Sequence, residues 1–327
     1  MKYSIETFFE RQHSTKMPQH RINRHTHNTP PGQVLNLSPF TFAHRSIACE
    51  RHPTRNEDNI LIDELGGIAA VFDGVGGSAA GEIASQTAAQ ATRQAWQHIL
   101  EQQQQRRRVH TLLEDRDTLN LHDILQNLIL EADERVRTDG AQRAGTDDLA
   151  TTVALAVFSR QPGTRNFTMV HAHVGDSRIY LLRGQERLQR LTSDDGLLAK
   201  LVENQVLNEF EALRIDQAMT AQQLSEIEFS YFRLRGGITQ ALGGPLPPTI
   251  HTDQITIYPE DRILLCTDGI HDNLTDEEIE EILRNSHRAA TARTLIEHSL
   301  QRSHQDRSTT IRAKPDDMSA IVITCRI

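Results

Sequence analysis

Cysteine is scarce in this chain. Cys49, Cys266 and Cys325 are too few and too scattered among 327 residues for a disulfide framework or a cysteine-based zinc knuckle, which fits a reducing compartment. A basic excess is also missing: 35 Lys and Arg stand against 44 Asp and Glu, for a net charge of -9. Nucleic acid and anionic membranes call for basic stripes, so neither is expected as a partner. Long apolar runs are absent too, stretches like Val153 to Phe158 being the longest, and no membrane span is expected. Lys2 is followed by no apolar core, which argues against a secretory signal. No repeat is visible. The expected location is cytoplasmic.

What is present is an ordinary globular composition, 37% hydrophobic and 24% charged, long enough for one large domain plus an extension. Residues 1–40 read as a polar N-terminal extension, because His20 to Gln33 has little to bury and Pro30-Pro31 interrupts any helix. His13, His20, His25 and His27 contain no helical i, i+4 pair and read as a solvated tail. Residues 41–327 form the expected domain. Its pattern predicts a strand at Ile68 to Phe72, helices over 80–105 (with Gln102 to Arg108 as a solvated end) and 121–137, and strands at 151–158 and 167–174 joined through Pro162-Gly163. A hairpin follows around Arg183-Gly184, then a mostly helical insertion over 196–236. Strands return at 254–257 and 263–266, a helix capped by Thr275 runs to Arg284, another covers 289–303, and a last strand covers 319–325. Hairpin-joined strands imply antiparallel sheets, and the long helices between them imply an outer helical layer.

Several motifs compete for the chemistry. Gly74-Val75-Gly76-Gly77-Ser78-Ala79 matches a dinucleotide fingerprint in spacing, but Asp73 would face the pyrophosphate and no second parallel strand follows. Cys49 to Arg55 matches C-x5-R, yet the loop has no glycine and Pro53 removes an amide donor. Asp73-Gly74 and Asp268-Gly269 each end an apolar run, and each glycine lets backbone approach an ion. Gly175-Asp176-Ser177-Arg178 reads as structural, with Asp176 ordering a bend and Arg178 neutralising buried acid. Asp147-Asp148 is either a solvated turn or a peripheral metal site. His171, His173 and His271 are not expected to be ligands. Acids this far apart matter only if strands bring them to one rim, where they make an oxygen cage for hard divalent cations.

In that order the motifs resemble the metal-dependent Ser/Thr protein phosphatases, the PPM or type 2C family, of bacterial type. The set is Asn56-Glu57-Asp58, Val71 to Gly77, Ala150-Thr151-Thr152, Val174 to Arg178, Leu191 to Asp195, Ile238 to Gly243, Cys266 to Asp272 and Asp316 to Ile321, over about residues 44–327. The resemblance implies an α+β fold, a four-layer αββα sandwich of two antiparallel β-sheets flanked by helices. It implies two Mn²⁺ or Mg²⁺ ions per active site, bridged by Asp73, with Glu57 and the Gly74 carbonyl serving one and Asp268 and Asp316 the other. Asp58 would hold coordinated water, and Asp272 with Asp147 or Asp148 a third, weaker site. The implied reaction is hydrolysis of phosphoserine and phosphothreonine in proteins, opposing a Ser/Thr kinase. In it a bridging water, acidified from 15.7 toward about 7, attacks phosphorus in line.

Three positions depart from the family pattern. Val75 stands where some members carry a histidine that protonates the leaving group. Pro53 stands where the phosphate-binding arginine usually lies, so Arg51 or Arg55 takes that role, with Arg51 preferred. Ala150 replaces a glycine. The insertion occupies the family's flap position and reads either as a substrate-selecting lid or as solvated decoration. The alternative function is a non-catalytic binding module on the same fold, against which the intact Asp73, Asp268 and Asp316 set argues.

Overall fold

Strands buried on both faces give continuous apolar runs, and the register of the middle strands shows why. In the computed structural model, which describes residues 38–75, 80–109, 120–161, 164 and 166–326, one sheet contains β1 (Phe40–Ile47), β7 (Arg178–Leu182), β8 (Gln189–Arg190), β10 (Arg262–Cys266) and β11 (Met318–Cys325). Their order is β1-β11-β10-β7-β8. The other contains β2 (Asp58–Asp63), β3 (Ile68–Val75), β5 (Val153–Arg160), β6 (Phe167–Val174) and β9 (His251–Ile257) in that order, with β4 (Ala150–Thr151) paired to the end of β3. Every pairing is antiparallel. Successive side chains alternate faces. Ala69 and Val71 of β3 therefore meet Ile263 and Leu265 of β10 and Ile321 and Ile323 of β11 between the sheets.

The opposite faces are covered by helices. Ile68, Ala70 and Phe72 pack against α1 (Ala80–Val109) and α2 (Leu121–Arg135), through Ala84, Ala88, Leu125 and Leu128. A π-turn over Val136–Gly140 carries α2 into α3 (Ala141–Ala144). The insertion holds α4 (Leu197–Glu203), α5 (Glu209–Asp216) and α6 (Glu226–Arg233) around Ile215, Ala218 and Phe232. A single short turn, α7 (Asp268–His271), follows β10. Finally α8 (Asp276–Asn285) and α9 (Thr291–Ser303) cover Leu264, Ala320 and Val322 on the outer face of the first sheet. The four-layer α+β sandwich is the architecture.

Thr275 caps α8 with a full capping box, its hydroxyl accepting from the Glu278 N–H, as the sequence suggests. Three segments differ from expectation. The first helix runs on to Val109 rather than ending near Gln105. The second helix ends at Arg135 and continues through the π-turn rather than stopping at Arg137. β1 was missed, because its Arg45 and His44 hide the strand pattern that pairing with β11 imposes. Residues 1–37 of the expected extension, Gly76-Gly77 and Pro162-Gly163 lie outside the described residues.

Candidate metal centre

Both sheets deliver acids to one edge of the sandwich. β2 and β3 pair with Asp58 opposite Asp73. In the other sheet β10 passes through Thr267 into Asp268 at the start of α7, and β11 begins just after Asp316 and Asp317. Thr267 joins the sheets: its Oγ1 donates to Asp58 Oδ2 at 2.7 Å and accepts the Ser319 N–H at 3.1 Å. Behind Asp73, Thr151 Oγ1 and the Thr152 N–H donate to its carbonyl at 2.9 and 2.8 Å. Asp317 fixes the preceding loop, accepting the Cys49 and Glu57 N–H groups at 2.6 Å each. His52, Glu57 and Asp317 stand close enough to suggest a ligand group, but backbone amides already occupy both Asp317 oxygens.

The two Asp-Gly pairs have a reason that sequence alone did not give. The Gly74 N–H donates to the Glu57 carbonyl at 3.0 Å, and a Cβ there would collide with backbone oxygens of Glu57 and Gly81. At Gly269 a Cβ would collide with the Asp317 carbonyl. Both glycines let acid-bearing backbones touch one another.

The halves of this rim differ in charge. On the Glu57–Asp58–Asp73 side, burial pushes Asp73 well above the usual carboxylate range, and the neighbouring Asp268, Asp58, Asp316 and Asp176 push it further. Burial likewise raises Asp58, against the hydrogen bonds from Thr267 and Ser319. Burial raises Glu57, against the pull of Arg55, whose Nη2 lies 3.5 Å from Glu57 Oε1. Asp58 Oδ1 and Glu57 Oε1 are buried with no hydrogen-bond partner. Leaving a buried polar atom unsatisfied costs about 1–3 kcal/mol, more when it is charged. Oxygen-only, mutually repelling and under-satisfied, this donor set fits a hard divalent cation.

On the Asp268–Asp272–Asp316 side a lysine is already present. Lys314 Nζ lies 2.5 Å from Asp268 Oδ2, 2.7 Å from Asp272 Oδ2 and 3.1 Å from Asp316 Oδ2. Arg235, at the end of the insertion, adds a contact of 3.2 Å to Asp272 Oδ1. Asp272 is buried, which would raise it, yet Arg235 and Lys314 hold it well below the usual range. Asp268 stays raised by burial despite Lys314.

Of the expected site residues, Glu57, Asp58, Asp73, Gly74, Asp268, Asp272 and Asp316 come to this rim. Asp147 and Asp148 are both exposed on the turn before β4, where the Asp148 N–H donates to Thr146 Oγ1 at 3.1 Å. The carboxylate that shares the field of Asp268 and Asp272 is Asp176, buried and raised by that burial and by those neighbours. Arg51 is exposed, while Arg55 is half-buried beside Glu57. Arg178 neutralises buried acid as expected, donating to Asp194 at 2.5 Å and to Asp216 of α5 at 3.2 Å. Sequence reasoning missed Lys314, Arg235 and Asp176. One signal was available: lysine occurs only at Lys2, Lys16, Lys200 and Lys314, and the last stands two residues before an acidic pair.

Comparison with known proteins agrees with this architecture. Residues 48–305 match the model of the family described as protein phosphatase 2C. The serine/threonine protein phosphatase PstP of Mycobacterium tuberculosis is 30% identical over 79% of this chain, which spans 42% of that protein's length. The serine/threonine phosphatase stp of Listeria monocytogenes is 25% identical over 67% of this chain and 72% of its own. The solved catalytic domain of PstP in complex with two manganese ions superposes with a TM-score of 0.61 at 24% identity, covering 88% of this chain and 99% of that one. The last likeness bears on the fold.

Proposed function

Because the chain belongs to the protein phosphatase 2C family, we propose that it hydrolyses phosphoserine and phosphothreonine in proteins, opposing a Ser/Thr kinase, with Mn²⁺ or Mg²⁺ as cofactor. The observation that carries this reading is the rim itself: Asp58 Oδ1 and Glu57 Oε1 are buried without hydrogen-bond partners beside an Asp73 crowded by four other carboxylates. Two carboxylates about 4 Å apart repel by ~4 kcal/mol at an effective dielectric of 20, a cost that bound cations offset. Two such ions would be held by oxygen donors drawn from Glu57, Asp73, the Gly74 carbonyl, Asp268 and Asp316. The two manganese ions of the PstP catalytic domain support that number.

Bound divalent ions supply Lewis-acid neutralisation of phosphate charge and a water acidified toward neutral pH. The chain's own residues do the rest. Arg55, beside Glu57, presents its guanidinium to phosphate oxygens, for which a planar fork is suited. Asp58 has one oxygen committed to Thr267 and one free, so it orients solvent by the free one. Val75 at the end of β3 carries no proton to give, so the leaving alkoxide is protonated by solvent. The insertion, tied to the rim through Arg235–Asp272, acts as the substrate-selecting lid.

Among the described residues no helix is long and apolar enough to cross a membrane. A cytoplasmic location, without membrane or nucleic-acid partners, belongs to this reading. The deciding assay is Mn²⁺-dependent phosphate release from p-nitrophenyl phosphate and from a phosphothreonine peptide. No turnover by the metal-loaded protein ends it.

A further inference from the structure

An ammonium group has three N–H donors and no acceptor. Lys314 spends them on carboxylates from three separate places: Asp268 at the start of α7, Asp272 just past its end, and Asp316 before β11, at 2.5, 2.7 and 3.1 Å. Asp316 Oδ1 is engaged by the Asp317 N–H at 2.9 Å, which leaves Oδ2 for the lysine. We propose that Lys314 is the resident cation of the Asp268–Asp272–Asp316 half of the rim, so that a divalent ion enters this half only by displacing its ammonium. The inference rests on the metal-dependent reading above.

Three further observations support it. The opposite half has orphaned carboxylate oxygens, and among the described residues its one ion pair is Arg55–Glu57 at 3.5 Å, so the two halves are compensated unequally. The choice of lysine is also selective. The buried ion pairs to Asp194 and Asp216 use Arg178, whose planar fork suits coplanar acceptors, whereas a compact ammonium suits three converging ones. The lysine side chain keeps 34% of its surface exposed, so a path outward exists for its four-carbon stem. Filling the rim is then sequential, the Glu57–Asp73 half first and the lysine-held half second.

The test is calorimetric titration of the full-length chain with MnCl₂, in wild type and Lys314→Met, followed by electron paramagnetic resonance of the bound Mn²⁺. The wild type is expected to show one tight step and a second at least about tenfold weaker, and Lys314→Met to tighten the second by about tenfold or more while leaving the first unchanged. The spin-coupled pair signal should accordingly appear in the variant at two equivalents and in the wild type only at excess. Two equally tight sites in the wild type, or an unaltered second step in the variant, overturn the proposal. Absence of Mn²⁺ binding in both proteins overturns the metal reading instead. An independent check needs no variant: in ¹⁵N-lysine-labelled wild type, the Lys314 ammonium resonance should move with the second equivalent of Mg²⁺. Movement complete at the first equivalent overturns the proposal.

Discussion

The two sheets contribute opposite solutions to the same rim. The β2–β3 edge gathers Glu57, Asp58 and Asp73 with orphaned oxygens and carboxyls held above their usual range. The β10–β11 edge gathers Asp268, Asp272 and Asp316 around Lys314, with Arg235 behind, and Asp272 held ionised. One half stores unrelieved repulsion and the other is partly offset by Lys314 and Arg235. Clustered acid is therefore not one property of the site: what each carboxylate does depends on which counter-charge the fold places beside it.

The largest way to break this comparison is Asp73→Asn, which removes the carboxylate facing both halves. It is expected to lower kcat/KM for p-nitrophenyl phosphate on the order of 10³-fold, measured at saturating Mn²⁺, since a central charge-stabilising contact is lost. Retained activity would show that the halves work without it. Next comes metal itself. Mn²⁺ at 100 times its dissociation constant should stabilise the fold by about 2.7 kcal/mol, and EDTA should remove that gain. An unchanged melting curve counts against the cage.

The pH dependence sharpens the contrast. Glu57, Asp58 and Asp73 have folded pKa values above the unfolded ones, so between roughly pH 4 and their raised values the folded state binds more protons. Their contribution is complete below pH 4 and is lost as pH rises. Asp272 has the opposite sign, its contribution being present above its unfolded value of 3.8 and lost as pH falls through its depressed folded one. Melting in EDTA minus melting in Mn²⁺ should therefore widen from pH 5 to pH 8, and a flat difference would refute the assignment. The smallest effect is at the junction. Thr267→Val removes the donor to Asp58 and the acceptor for Ser319, and should cost about 2 kcal/mol by chemical denaturation.

Much of the fold was legible because period and punctuation are local signals. The apolar run at Ile68, the Thr275 cap and the hairpin at Arg183-Gly184 each read correctly from a few neighbouring residues. β1 did not, since its strand character comes from pairing with β11, nearly three hundred residues away. In the site, the acids on motifs were readable by type and order. Asp147-Asp148 stayed open between a solvated turn and a metal site because an acidic pair beside a strand looks alike in both, and the structure leaves both exposed. Asp176 was passed over because its motif contains Arg178, whose structural role explained the whole segment.

By itself the sequence determined which side chains are available: oxygen donors following apolar strands, a glycine after Asp73 and after Asp268, and few lysines. Those are properties of residue type and spacing, fixed before any folding. Only the tertiary structure decided that Lys314 sits among Asp268, Asp272 and Asp316, that Arg55 rather than Arg51 stands beside Glu57, and that Asp58 keeps one oxygen free. Such pairings depend on distances of a few ångströms between segments far apart in the chain, and electrostatic energy at that range is set by geometry and burial, not by order along the backbone.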